Sequence, residues 1–218
     1  MKLLSSRALR ALERFNSAYP WDHNAHYHRW ILRQLPRRSD RVLDVGSGSG
    51  DLARLLAGRA DAVQAVDSDP VITSQARKLT PSRLPVTFTA ADAMTGIPDG
   101  PYDAITCVAT IHHLPFTQAL TRFRRHLAPG GTLVIVGLSR AQTPVDHLLG
   151  AVAIPANAAM GWLKNKGRPA QRPVSMTAPT RPADMTFDDI TREAEDVLPG
   201  VRLRRRLFWR YTLVWNQP

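Results

Sequence analysis

The chain has 218 residues, 29 basic against 18 acidic, a formal charge of +11, and one cysteine, Cys107. That length buries a sizeable core without cross-links, and a lone cysteine excludes an internal disulfide and fits a cytoplasmic setting. A +11 charge invites a nucleic-acid partner, but all basic residues except Lys2, Lys78, Lys164 and Lys166 are arginine and mostly scattered, so it reads as compositional bias rather than as a nucleic-acid footprint.

The stretch Met1–Arg7 lacks the long apolar run of a secretory signal. Two helical patterns follow. Ser5–Asn16 carries Leu9, Leu12 and Phe15 at helical spacing, and His23–Leu35 carries Trp30, Ile31 and Leu35. From Arg41 onward, short apolar runs alternate with helical patterns, which predicts a parallel sheet with helices on both faces. Strands are expected at Arg41–Val45, Ala62–Asp67, Val86–Ala90, Tyr102–Ala109 and Thr132–Leu138. Helices are expected between them at Gly50–Gly58, Pro70–Leu79 and Phe116–Leu127. Pro70 suits a first helical turn, and Pro129-Gly130-Gly131 suits the exit from a helix.

After the fifth strand, Pro144–Lys164 reads as an apolar helix. Its Asp146, His147, Pro155 and Asn157, with its marginal length, argue against a membrane span. A lid over a hydrophobic site, a core helix and a dimer face all remain open for it. Gly167–Asp184 is a loop rich in Pro, Arg and Thr, and Thr186 caps a helix running to Val197 with Asp188 and Asp189 in its first turn. Strands at Val201–Leu207 and Arg210–Trp215 are too closely linked for a crossover, so they are antiparallel. The chain thus reads as a single domain. Cap helices occupy residues 1–40, a ligand-binding core 41–138, a helical lid or insertion 139–185, and a final helix with a hairpin 186–218.

The chemistry concentrates after the first strand. Val42-Leu43-Asp44-Val45 runs into Gly46-Ser47-Gly48-Ser49-Gly50, a loop whose missing side chains let backbone approach a ligand. Asp67 follows the second strand at the spacing that places a carboxylate on a ribose. Asp92 follows the third strand, and Leu127-Ala128-Pro129-Gly130-Gly131 precedes the fifth. The loop is G-x-G-x-G, whereas a nicotinamide-binding loop has G-x-G-x-x-G.

Taken together and in this order, these features resemble the class I S-adenosylmethionine (SAM) dependent methyltransferase family over about Arg41 to Gly137. Val108-Ala109-Thr110-Ile111-His112-His113-Leu114-Pro115 resembles the small-molecule branch, including quinone and natural-product methyltransferases. The resemblance implies a seven-stranded, Rossmann-like, mostly parallel sheet with an antiparallel last strand. It implies SAM as cofactor, S-adenosylhomocysteine as product, and a small hydrophobic methyl acceptor, with oxygen favoured over nitrogen or carbon. By the same resemblance, backbone at Gly46 and Gly48, with Ser47 and Gly50 in the loop, faces the methionine part. Asp67, with Ser68 beside it, accepts the ribose hydroxyls, and Asp92 and Ala93 hold adenine. Cys107 and Val108 lie beside the methionine tail, as does Asp44 if it does more than brace the loop.

His112 and His113 fall at the end of the fourth strand, where a general base would help an oxygen acceptor. The segment Trp21–His28 carries three histidines and a tyrosine. It lacks the Cys or Glu company of a zinc site, so no metal is expected there. A cap over the cofactor, with Tyr27 or His28 near its carboxylate, fits better. An RNA-modifying enzyme would commonly carry an Asn/Asp-Pro-Pro-aromatic box where this chain has Ala109-Thr110-Ile111-His112. A methyltransferase fold that binds SAM without transferring its methyl is a further alternative, and monomer and homodimer are both open.

Overall fold

The structure is a computed structural model and describes residues 6–176 and 181–218. The expected helix start at Ser5, the preceding Met1–Leu4 and part of the Gly167–Asp184 loop lie outside the described residues. In chain order the elements are α1 (Ser6–Ala18), α2 (His23–Gln34), β1 (Ser39–Val45), α3 (Asp51–Leu56), β2 (Ala60–Asp67), α4 (Pro70–Leu79) and β3 (Val86–Ala90). There follow β4 (Tyr102–Val108), α5 (Phe116–His126), β5 (Leu127–Gly137), α6 (Pro144–Lys164), α7 (Phe187–Val197), β6 (Arg202–Arg206) and β7 (Arg210–Asn216).

The strands form one seven-stranded sheet in the order β3-β2-β1-β4-β5-β7-β6. Strands β1 to β5 run parallel, and β7 is antiparallel to both its neighbours, β5 and β6. Side chains alternate across the sheet with the two-residue period of a strand. Leu43, Val45, Ile105, Cys107, Leu133, Ile135, Leu213 and Trp215 join one core with α5 and α7. Val42, Ala104, Val134, Val136 and Val214 join the other with α2 and α3. Both faces are therefore covered, as the near-continuous apolar runs require.

Strand β5 begins five positions before the expected Thr132. The Pro129-Gly130-Gly131 run stays paired because Gly130 N–H donates to the Gln217 carbonyl and Gln217 N–H to the Gly131 carbonyl. Thr186 caps α7 as expected, in a reciprocal box with Asp189.

Helix α6 departs from the core-helix reading. It buries only Ala153, Asn157 and Gly161, a narrow stripe of small residues four apart. Asn157 Oδ1 accepts from Trp21 Nε1 at 2.8 Å and lies 2.6 Å from His23 Nε2. A Cβ on Gly161 would lie 2.4 Å from the Tyr19 carbonyl, so the close approach needs glycine. At its other end, Arg205 on β6 bonds Asp146 of α6 and Asp188 of α7, each at 2.8 Å.

The β6–β7 turn holds Phe208 and Trp209 at φ +59° and +58°. Glycine or asparagine usually occupies such positions. Phe208 compensates by burial in an aromatic cluster, 4.8 Å from the Trp21 ring and 5.3 Å from His26. Tyr27 donates to the Leu207 carbonyl at 2.7 Å and braces the same turn. Trp209 is half exposed. Phe208→Ala is expected to destabilise by about 3–5 kcal/mol, whereas Trp209→Gly raises stability by up to about 1 kcal/mol by relieving the left-handed backbone. Urea unfolding of both variants checks this, and equal losses would reject the assignment.

Candidate functional site

The loop from Gly46 to Gly50 is fastened to the end of β2. The Val66 carbonyl accepts the N–H groups of Gly46 and Ser47 at 2.8 and 3.1 Å. Asp67 accepts Gly48 N–H at 2.8 Å on one oxygen and Asp69 N–H at 3.0 Å on the other. Gly46 has φ +70°, and a Cβ there would sit 1.9 Å from Thr110 Oγ1, so the loop admits no side chain at this point. The carboxylate that caps α4 is Asp69, which accepts from Val71 and Ile72 N–H. Asp67 is therefore free of the capping role and keeps lone pairs for a ligand.

A cleft of about 440 Å³ opens above this loop. It lies at the carboxyl ends of β1 and β4, where the strand order reverses, the usual ligand position in a doubly wound sheet. Of the residues singled out in the sequence, Asp44, Gly46, Ser47, Gly48, Asp67, Ser68, Asp92, Ala93, Val108, His28 and His113 line it.

Four others lie outside its lining. Gly50 turns under the loop at φ +79°, where a Cβ would meet the Phe88 ring at 2.6 Å. Cys107 points into the core, fully buried, and burial pushes its thiol well above the usual range. Tyr27 spends its hydroxyl on Leu207, and burial raises its phenol. His112 lines a second cavity instead. The sequence reading passed over Asp22, Asn24, Ala109 and Thr110, which also line the cleft. Ala109 sits at φ +51°, a left-handed turn that no glycine announces.

Asp44 is fully buried beneath the loop and accepts from Thr106 Oγ1 at 2.8 Å. Burial pushes its carboxyl up to about 7, with the Asp67 charge adding to the rise and the Thr106 bond opposing it. His28 is lowered by burial.

The second cavity, about 310 Å³, shares His113 and Leu114 with the cleft. Its walls are largely apolar, including Ile111, Phe116, Leu138, Met185 and Ile190, with His112, Arg181, Asp184 and Tyr211 as polar members. Burial lowers His112 to about 4, helped by His113 and by the Arg210 and Arg181 charges. Its Nδ1 and the Tyr211 hydroxyl are buried without a hydrogen-bond partner among the described residues. Tyr211 reaches this point because Gly137 faces it, where a Cβ would lie 2.3 Å from the ring. Arg181 is paired with Asp184 at 3.0 Å. Helix α6, a lid candidate in the sequence, lines neither cavity. The insertion reaches the cleft through Ser175 and the second cavity through Arg181, Ala183, Asp184 and Met185.

A methyltransferase-domain family matches residues 42–131, which span the loop, Asp67 and Asp92. An uncharacterized methyltransferase of Mycobacterium tuberculosis is 32% identical over 205 residues, covering 91% of this chain and 98% of its own. The chain belongs to the class I SAM-dependent methyltransferase family. The demethylmenaquinone methyltransferase of Thermus thermophilus is 36% identical over 117 residues, which is 50% of this methyltransferase and 53% of that protein. The solved structure of the N-methyltransferase NodS from Bradyrhizobium japonicum in complex with S-adenosyl-L-homocysteine shares the fold. It superposes with a TM-score of 0.61 at 17% identity, over 96% of this chain and 97% of that one. No helix among the described residues is long and apolar enough to cross a membrane.

The raised Asp44 value has a consequence for the ligand-free methyltransferase. The folded state holds that proton more tightly than the unfolded chain, so stability falls as pH rises from about 4 to about 7. The loss is on the order of 4 kcal/mol at 1.36 kcal/mol per unit. Asp44→Asn is expected to flatten this part of the profile. Denaturant unfolding at several pH values checks it, and an unchanged slope would refute the assignment.

Proposed function

We propose that this chain, acting as one cytoplasmic methyltransferase domain, transfers the methyl group of SAM to a small hydrophobic acceptor, with oxygen favoured over nitrogen or carbon. The observation that carries this reading is the meeting of two cavities at His113 and Leu114. One cavity has the polar groups a nucleoside needs, and the other has the apolar walls an organic ring needs.

The cleft fits SAM by its chemistry. No arginine or lysine lines it among the described residues, as suits a ligand without phosphate. The buried carboxylate of Asp44 and the half-buried one of Asp67 suit a cationic ligand. Ser47 Oγ is buried without a partner among the described residues, a donor awaiting an acceptor. Asp67 would hold the ribose hydroxyls, with Ser68 beside it, and Asp92 and Ala93 the adenine. Gly46, Ser47, Gly48, Val108 and Asp44 would hold the methionine part, and His28 would cover it from α2. Cys107, Tyr27 and Gly50 support the walls from outside. When bound, SAM supplies an electrophilic methyl on a sulfonium.

The chain then aligns the acceptor and excludes water, and alignment alone carries much of the rate in such displacements. His113, at the junction, would take a proton from an acceptor hydroxyl. His112 is held neutral, so it meets the acceptor as a hydrogen-bonding group together with Tyr211. With Arg181 already paired to Asp184, an uncharged, hydroxyl-bearing ring suits this cavity better than an anion. The demethylmenaquinone and ubiquinone O-methyltransferase relatives, each matched over about half its length, support a ring acceptor. An RNA acceptor is the second reading, motivated by the +11 charge.

Label-bearing SAM added to a lysate of the source cells tests the proposal. Methyl label in the small-molecule fraction is expected, whereas label in RNA overturns the acceptor class. Two variants sharpen the roles. Asp67→Ala weakens S-adenosylhomocysteine binding at least about tenfold, or about 1.4 kcal/mol, in a calorimetric titration, and unchanged affinity removes Asp67 from the site. Replacing His112 and His113 together by Ala lowers turnover more than SAM affinity, and an unaltered methyl-transfer rate removes both from the reaction.

A further inference from the structure

Helix α6 has no duty in either cavity, yet its outer face is apolar. At about 100° per residue, Val145, Leu148, Val152, Trp162 and Leu163 fall on one stripe, opposite the buried Ala153, Asn157 and Gly161. Leu148 and Leu163 are 65% and 60% exposed. In a soluble helix the apolar stripe faces the core and the polar one faces water. Here the buried stripe is small and partly polar, and the large apolar one points outward.

The charge around this face is predominantly positive. Its single acid, Asp146, is bound to Arg205. Lys164, Lys166, Arg168 and Arg172 follow at the carboxyl end, all exposed and without an ion-pair partner among the described residues. Helix α1, packed against α6, adds exposed Arg7, Arg10 and Arg14 against one exposed acid, Glu13.

We infer that α6 lies on the surface of an anionic phospholipid bilayer, with its apolar stripe in the acyl boundary and the flanking cations among the headgroups. An interfacial helix combines buried apolar area with attraction to anionic lipid, and each cation near such a surface adds to that attraction. A second copy is a poorer occupant, since pairing two such faces sets seven cations against seven, with no free acid on α6 and only Glu13 on α1 to balance them. Docking there would give the second cavity access to acceptors dissolved in lipid, a consequence that rests on the function proposed above. The docking itself does not.

Co-sedimentation of the full chain with vesicles tests the inference. Equimolar phosphatidylglycerol–phosphatidylcholine vesicles are expected to bind it at least about tenfold better than phosphatidylcholine alone, with binding falling as salt rises. The triple change Leu148→Ser, Val152→Ser and Leu163→Ser is expected to cut binding at least about tenfold, while S-adenosylhomocysteine affinity and thermal midpoint stay put. The triple change Lys164→Glu, Lys166→Glu and Arg168→Glu abolishes the preference for anionic vesicles. Three results each overturn the inference: wild-type binding by the serine variant, equal binding to both vesicles, and a wild-type dimer in sedimentation velocity that the serine variant converts to monomer.

Discussion

The glycine loop exists in its shape because β2 holds it. One carbonyl, Val66, receives two successive N–H groups of the loop, and the next residue, Asp67, receives a third. Each of these groups would otherwise be an unpaired donor at a sheet end, a costly arrangement where water is scarce. Tied this way, the loop lines the floor of the cleft before it enters α3. Thr110 from the end of β4 closes the other side and excludes any side chain at Gly46. The cleft is thus a product of strand order: β1 lies between β2 and β4, and both neighbours brace what emerges from it.

A second set of polar ties fixes the N-terminal cap. Asp22 caps α2 and lines the cleft, and Asn24 accepts from Arg210 at 2.9 Å. Asn157 links Trp21 and His23 to α6, and Tyr27 holds the Leu207 carbonyl. The bonds of Asn24, Asn157 and Tyr27 join segments more than a hundred residues apart, so the cap, the insertion and the closing hairpin position one another. The left-handed turn at Phe208 and Trp209 is tolerated because this assembly surrounds it.

The sheet, its direction changes and most of the cleft were readable in the sequence because they depend on local signals. Alternating apolar runs set the strands, and the spacing of Gly46, Gly48 and Asp67 set the ligand end. What escaped depends on contacts far apart in the chain. Tyr211 sits on a strand of evident period, but its hydroxyl matters only because residues 181–185 wall the cavity around it. Tyr27 and Cys107 have plausible spacing and the wrong side-chain direction. Helix α6 stayed open between lid, core and dimer face because apolar content does not tell which stripe is buried. Its packed face is Ala153, Asn157 and Gly161, selected by the Trp21 and Tyr19 backbone and ring surfaces it must approach. Asp69 rather than Asp67 caps α4 because Pro70 opens that helix and the residue before it takes the cap.

Cys107 occupies the middle of the sheet, between Val45 of β1 and Ile135 of β5, with no exposure to solvent. A thiol in that place reacts as thiolate, and burial suppresses thiolate. Since it is the chain's single cysteine, alkylation has nowhere else to occur. The molecule therefore carries its own clock. The rate at which a thiol reagent consumes it reports how often the sheet itself opens, unclouded by fraying of the helices around it.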